Sequence, residues 1–339
     1  MDEYRAVRER AGIVDRSERG KIVVSGNDRR LYLHALFTND IASIGPGAGC
    51  YSAYLTPQGR MIADLRVLEL GDVVLLDLAP EVKDAVLARL DQFIFSEDVR
   101  LADVTAQFAE FGVHGPEASR VVAAALAESP AGAEGGVPAE RLAALRAFQN
   151  LRATFGGEAV IVTGSDELGE HGLDLYIDRS AAGRLHEALV VHGAADISRA
   201  TAEVLRIEVG RPAFGRDMDA ETIPLEAGIE GRAVSFTKGC YPGQEVIVRI
   251  LHRGHGRVVR RLVGLAIEGL SVADPEDLLF AEDREAGRVT SAALSPARGS
   301  IALGYVHRDF AAPGTELTIA HGATRLRAVV VETPFVPVR

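Results

Sequence analysis

An α+β chain that ends in a β-barrel is what the sequence predicts, and three observations predict it. Short strand-like runs joined by tight turns fill the first half, and strands joined so closely pair antiparallel, because parallel neighbours need a long crossover. Amphipathic stretches with helical spacing alternate with those runs. From about Val258 onward the pattern changes to short β-rich runs separated by Gly, Pro and Asp, which reads as a small closed or nearly closed barrel.

Taken in order, Lys21 to Ser25 is the first strand, and Asn27 to Phe37 has helical spacing with Asn27 or Asp28 as its cap. Tyr51 to Leu55, Met61 to Leu70 and Val73 to Leu78 form a meander, turned at Thr56-Pro57-Gln58-Gly59 and at Gly71-Asp72. Pro80 opens a helix from Glu81 to Phe93, apolar at Val82, Val86, Leu87 and Leu90. The rhythm then repeats. Phe108 to Val113 is a strand and Pro116 to Ala127 a helix; Leu151 to Phe155 and Ala159 to Thr163 form a hairpin closed by Gly156-Gly157. Leu173 to Ile177 is a strand and Ala181 to Val191 a helix. The small-residue stretch from Ser129 to Pro138 is an exposed loop with no function of its own. In the barrel region the strands are Leu262 to Ile267, Ala286 to Ala292, Ile301 to Val306, Leu317 to Ala320 and Leu326 to Glu332.

The 339 residues are 47% hydrophobic and 25% charged, a globular composition that argues against disorder over most of the length. No run approaches the roughly 18 to 20 apolar residues of a membrane span, and the start lacks a signal-peptide pattern, so a cytoplasmic location is expected. A net charge of −11 argues against generic nucleic-acid binding, so an anionic ligand must meet a local basic patch. One such run holds Arg249, His252, Arg253, His255, Arg257, Arg260 and Arg261. It suits a solvated helix end, or a site for an extended anion such as a polyglutamate tail or an RNA backbone.

Two cysteines, Cys50 and Cys240, make no disulfide framework, and no metal site is expected because zinc-type Cys/His spacing is absent. Cys240 precedes a segment patterned as a helix from Gly243 through Leu251, with Gly254 as its stop. Helix N-terminal amides and the Lys238 ammonium favour a thiolate there. A small buried hydrophobe in a tight turn fits the same residues equally well.

The octapeptide Lys238-Gly239-Cys240-Tyr241-Pro242-Gly243-Gln244-Glu245 resembles the signature of the YgfZ family, folate-binding proteins linked to the maintenance of iron–sulfur enzymes. Further segments resemble the wider aminomethyltransferase superfamily, which includes the glycine-cleavage T-protein. These are Ala11 to Asp15, Thr38 to Ile41, Gly59 to Leu65, Leu205 to Gly210, Gly215 to Met218 and Ile223 to Glu226. The resemblance implies two α+β, ferredoxin-like subdomains around a central folate channel in residues 1–255, and a C-terminal β-barrel in 256–339. It also implies that Glu208 accepts two parallel N–H bonds from the pterin edge. Arg206 belongs to the same motif, and Asn39, Tyr51 and Thr163 match positions near the channel. Asp64 matches an Asp-Asp-Leu segment that assists methylene transfer, although the chain reads Ala63-Asp64-Leu65. Ser165 replaces the acid of a Thr-Gly-Glu segment.

The leading expectation is a tetrahydrofolate-binding accessory protein for iron–sulfur cluster assembly or repair in client enzymes, including tRNA-modifying ones. Cys240 is its reactive group, Lys238 lowers that thiol's pKa, and partners complete any cluster, since one thiolate cannot hold one. The alternative is a true folate-dependent one-carbon transferase in which Asp64 and Glu208 position tetrahydrofolate or a one-carbon-substituted folate. A third reading is a module without chemistry that docks tRNA or a protein on the run from Arg249 to Arg261.

Overall fold

The computed structural model describes residues 2–128, 136–252 and 257–338. Its strands are β1 (Gly12–Asp15), β2 (Gly20–Ser25), β3 (Gly49–Leu55), β4 (Met61–Glu69), β5 (Val74–Leu78), β6 (Arg100–Asp103) and β7 (Phe108–His114). Next come β8 (Asn150–Phe155), β9 (Glu158–Ser165), β10 (Gly172–Asp178) and β11 (Ala195–Asp196). The last six are β12 (Arg260–Ile267), β13 (Leu278–Ala281), β14 (Arg284–Ser295), β15 (Gly299–His307), β16 (Glu316–His321) and β17 (Thr324–Val331). Three sheets result. A five-stranded antiparallel sheet has the order β3-β4-β5-β2-β6, and a six-stranded one β11-β1-β7-β10-β9-β8, in which only β1 and β11 run parallel. Strands β12-β15-β14-β13-β16-β17 close a barrel. The α+β and barrel expectation therefore holds.

Each open sheet covers one face with helices. Leu33 and Leu36 of helix Arg29–Leu36 and Val86 and Leu90 of helix Lys83–Asp91 pack on Ile22, Leu65 and Leu76. Helices Ala118–Leu126 and Ala182–Val191 bury Val121, Val122, Leu185 and Leu189 on Val113, Val162 and Leu175 in the same way. The opposite faces meet each other partly through buried ions. Arg66 bonds Asp77 at 3.1 Å and Asp174 at 3.0 Å, Tyr176 donates to Asp77 at 2.8 Å, and Lys21 lies 3.1 Å from Glu110. Helix Arg199–Val209 joins this assembly to the barrel, with Ile207 packed on Ile301, Leu303 and Phe335.

Several local expectations are corrected. The first predicted helix covers only Arg29–Leu36 and has no side-chain cap: Asp28 accepts instead from the Asp98 N–H at 2.8 Å, and the Asn27 amide donates to the Asp98 carboxylate at 2.9 Å. Strand β13 has four residues and a register shift at Leu279/Phe280, too little for periodicity to register. Within the Ser129 to Pro138 stretch, 129–135 lie outside the described residues, as do Arg253, Gly254 and His255. No helix of the described chain is long and apolar enough to cross a membrane.

Candidate functional site

A cavity of about 350 Å³ opens between the two open sheets and helix Arg199–Val209. Strands β3 and β4 present Tyr51, Asp64 and Arg66 to it; the helix adds Glu203 and Arg206, and the following loop and a short helix add Arg211, Phe214 and Arg232. Eight arginines and six carboxylates line the described wall, an electropositive balance in a chain of net charge −11.

Asp64 is the distinctive acid of that wall. Glu167 is bonded to Arg66 and Arg16, each at 3.0 Å, Glu203 to Arg206 and Arg216, and Glu18 to Arg199. Asp15 and Glu81 are exposed. Asp64 is half-buried, lines the cavity, and forms no ion pair among the described residues. Its Oδ2 accepts from the Tyr51 hydroxyl at 2.7 Å. Burial pushes the Asp64 carboxyl above its ordinary range, and the Tyr51 hydrogen bond, which favours the ionised form, opposes that rise.

Tyr51 is fixed from three sides. The Arg232 guanidinium lies 5.2 Å from its ring centroid, Phe148 stacks at 6.4 Å, and the Asn39 amide donates to the carbonyls of both Tyr51 (2.8 Å) and Arg232 (3.0 Å). Asn39 is absent from the cavity wall and braces it from behind. Arg206 does line the cavity, bonds Glu203, Asp217 and Ser291, and donates to the carbonyl of Arg211. Arg211, Arg232 and Glu203 also line it, although no motif in the sequence marks them.

Besides Asn39, four residues that the sequence nominates for the site do not line the cavity. Glu208 has no exposed surface and does not line the cavity. Its oxygens accept from Tyr4 at 3.0 and 3.1 Å, from Arg8 at 2.5 Å and from Ser295, tying three distant segments together. Thr163 is buried on β9, where its hydroxyl donates to the Gln149 carbonyl at 3.1 Å. Cys240 is exposed and also absent from the wall. Lys238, expected to serve that thiol, has partners of its own. Its ammonium instead donates to the carbonyls of His34 and Phe37, where helix Arg29–Leu36 leaves acceptors unpaired, and burial pulls its pKa down to about 8.

Beyond the cavity, helix Gln244–His252 forms as predicted. In the basic run Arg260 is engaged by Glu226 at 3.1 Å and by the Tyr305 ring at 4.5 Å. Asp274, Asp277 and His321 bring ligand atoms within 4.8 Å of one another on the barrel, but the imidazole already bonds Asp277 at 2.8 Å. Cys50 is half-buried, and desolvation pushes its thiol pKa up to about 12.

Residues 1–238 match the GCVT N-terminal domain, and residues 260–337 the glycine cleavage T-protein C-terminal barrel domain. The chain is 32% identical over 340 residues to an aminomethyltransferase of Cutibacterium acnes, spanning 99% of this chain and 90% of that protein. It is 32% identical over 344 residues to an aminomethyltransferase of Geobacillus kaustophilus (98% and 89%) and 28% identical over 325 residues to a putative chloroplastic transferase of Arabidopsis thaliana (95% and 71%). In fold it is similar to the glycine cleavage system aminomethyltransferase T of Bartonella henselae, with a TM-score of 0.87 at 24% identity over 100% of this chain and 90% of that one. Two consecutive domain matches and full-length relatives agree with the two open sheets and barrel: the chain belongs to the glycine cleavage T-protein family.

Proposed function

We propose that the protein binds tetrahydrofolate, or a one-carbon-substituted folate, in the central cavity and acts as a folate-dependent one-carbon transferase. The relatives named aminomethyltransferase support this reading. The observation that carries it is Asp64, a half-buried carboxyl with no guanidinium partner among the described residues, held by Tyr51 in the cavity wall. The residues present fit the ligand: the volume lies within the small-molecule range, Leu65, Pro212 and Phe214 suit ring faces, and the charged groups suit a polar edge and carboxylates.

When bound, the folate would supply the nitrogens that carry the one-carbon unit. The protein's part is to orient and to handle protons. Asp64, with its proton affinity raised by burial, takes or returns a proton more readily near neutral pH than an exposed aspartate does. Tyr51 fixes the reacting oxygen, and Asn39 and Arg232 fix Tyr51. Holding the reactants in one geometry contributes much of the rate. Calorimetric titration should detect tetrahydrofolate binding to the wild type, and Asp64→Asn should slow methylene transfer by roughly 10²- to 10⁴-fold. A wild-type protein that binds no folate removes this reading.

A second reading is favoured by one observation, the exposed Cys240 outside the cavity, in a segment anchored by Lys238 and the buried Tyr241. On it the chain is a YgfZ-type accessory protein whose thiol works on iron–sulfur client enzymes, tRNA-modifying ones among them, and not on the folate. Cys240→Ser should then lower iron–sulfur enzyme activity in cells without changing folate affinity; unchanged enzyme activity ends that reading.

A further inference from the structure

We propose that Arg211 and Arg232 form a carboxylate-binding subsite where the central cavity meets a second, smaller one, an inference that rests on the cavity being a substrate site. The second cavity, about 120 Å³, lies between Gly228-Ile229 and the barrel residues Leu262 and Leu303. Both cavities are lined by Arg211, Pro212 and Arg232, so the two guanidiniums stand at their junction.

Their charges are not balanced there. Asp166 is the carboxylate that both contact, at 2.6 Å from Arg211 and 3.4 Å from Arg232. The nearby Glu167 is already taken by Arg16 and Arg66. Arg211 Nε is buried without a hydrogen-bond partner among the described residues, an N–H left to be satisfied in a partly shielded setting. Burial and the neighbouring Arg232 hold the Arg211 pKa below its ordinary value, as expected for a cation pair short of one negative charge.

One missing charge and planar forked donors select a carboxylate over a more highly charged phosphate. That carboxylate has two sources. It is the glutamyl end of the folate itself, or it belongs to a separate small amino acid that enters from the barrel side and meets the Tyr51–Asp64 pair across Arg232, whose guanidinium stacks on Tyr51.

The full chain and its Arg211→Gln and Arg232→Gln variants, checked for folding by circular dichroism, are titrated calorimetrically with three probes. These are tetrahydrofolate, tetrahydropteroate (which lacks the glutamate) and N,N-dimethylglycine. If the carboxylate is the folate's, either substitution weakens tetrahydrofolate at least tenfold, and Arg211→Gln leaves tetrahydropteroate within twofold. If it belongs to a second substrate, the tenfold loss falls on dimethylglycine, and Arg211→Gln leaves both folates within twofold. Equal affinities of wild type and variants for both carboxylates, or no carboxylate binding by the wild type, overturn the subsite. Failure of the folate reading looks different: neither tetrahydrofolate nor tetrahydropteroate binds the wild type, while the dimethylglycine arm still reports on the arginines.

Discussion

Glu208 has no exposed surface, and its two oxygens are divided among Tyr4, Arg8 and Ser295, which come from the N-terminal helix and from β14. Removing one partner of a buried pair leaves the other charge without compensation, which costs about 3 to 5 kcal/mol. Glu208→Gln should therefore lower the unfolding free energy by about 3 kcal/mol in urea titration, while tetrahydrofolate affinity stays within about twofold. A normal unfolding curve with lost folate affinity would return Glu208 to the ligand. Tyr51, Asp64 and Arg206 stand out in the sequence and all three reach the cavity, because their motifs carry local geometry with them. The place of Glu208 and the pairing of Arg211 with Arg232 are not legible there. Those arrangements depend on partners as far apart as Arg8 and Asp166, which no spacing rule reports.

Among the elements, helix Gln244–His252 begins at a backbone corner that only glycine fills easily. Gly243 has φ of +84°, and a Cβ there would stand 2.6 Å from the Thr56 carbonyl oxygen and 2.9 Å from the Cα of Gly59, in the turn between β3 and β4. Gly243→Ala should cost about 1 to 3 kcal/mol in thermal or denaturant unfolding. It should also push the Cys240 segment off that turn, read as a changed rate of Cys240 alkylation in the native protein. An unchanged rate together with unchanged stability would mean that the turn yields without strain. The meander and this helix were legible because tight turns and helical periodicity are local signals. The missing cap at Asp28 was not, since Asp98, seventy positions away, competes for that carboxylate's hydrogen bond.

At the scale of the whole molecule, the interface between the open sheets is the feature that alternation misreads. Arg66 on β4 and Asp77 on β5 fall on the side that strand patterning assigns to solvent, yet the fold turns that side onto Asp174 and Tyr176 of the second sheet. His114, at the end of β7, is fully buried beside this network, and its ring nitrogens have no hydrogen-bond partner among the described residues. Burial first, and then the positive charge of Arg16, holds its pKa well below 6.5 in the folded protein. The unfolded chain therefore takes up a proton below about pH 6.5 that the folded one refuses, so this contribution is present above that pH and is lost as pH falls, by up to about 1.4 kcal/mol per unit. Glu110, raised by burial and by Asp77, acts in the opposite direction, but it does so in wild type and variant alike. The test is thus a difference. The stability advantage of wild type over His114→Gln, from urea unfolding between pH 7.5 and 5.5, should shrink steadily below 6.5. A difference that stays constant over that range would show that His114 takes up its proton inside the fold, and that the network opens to admit it.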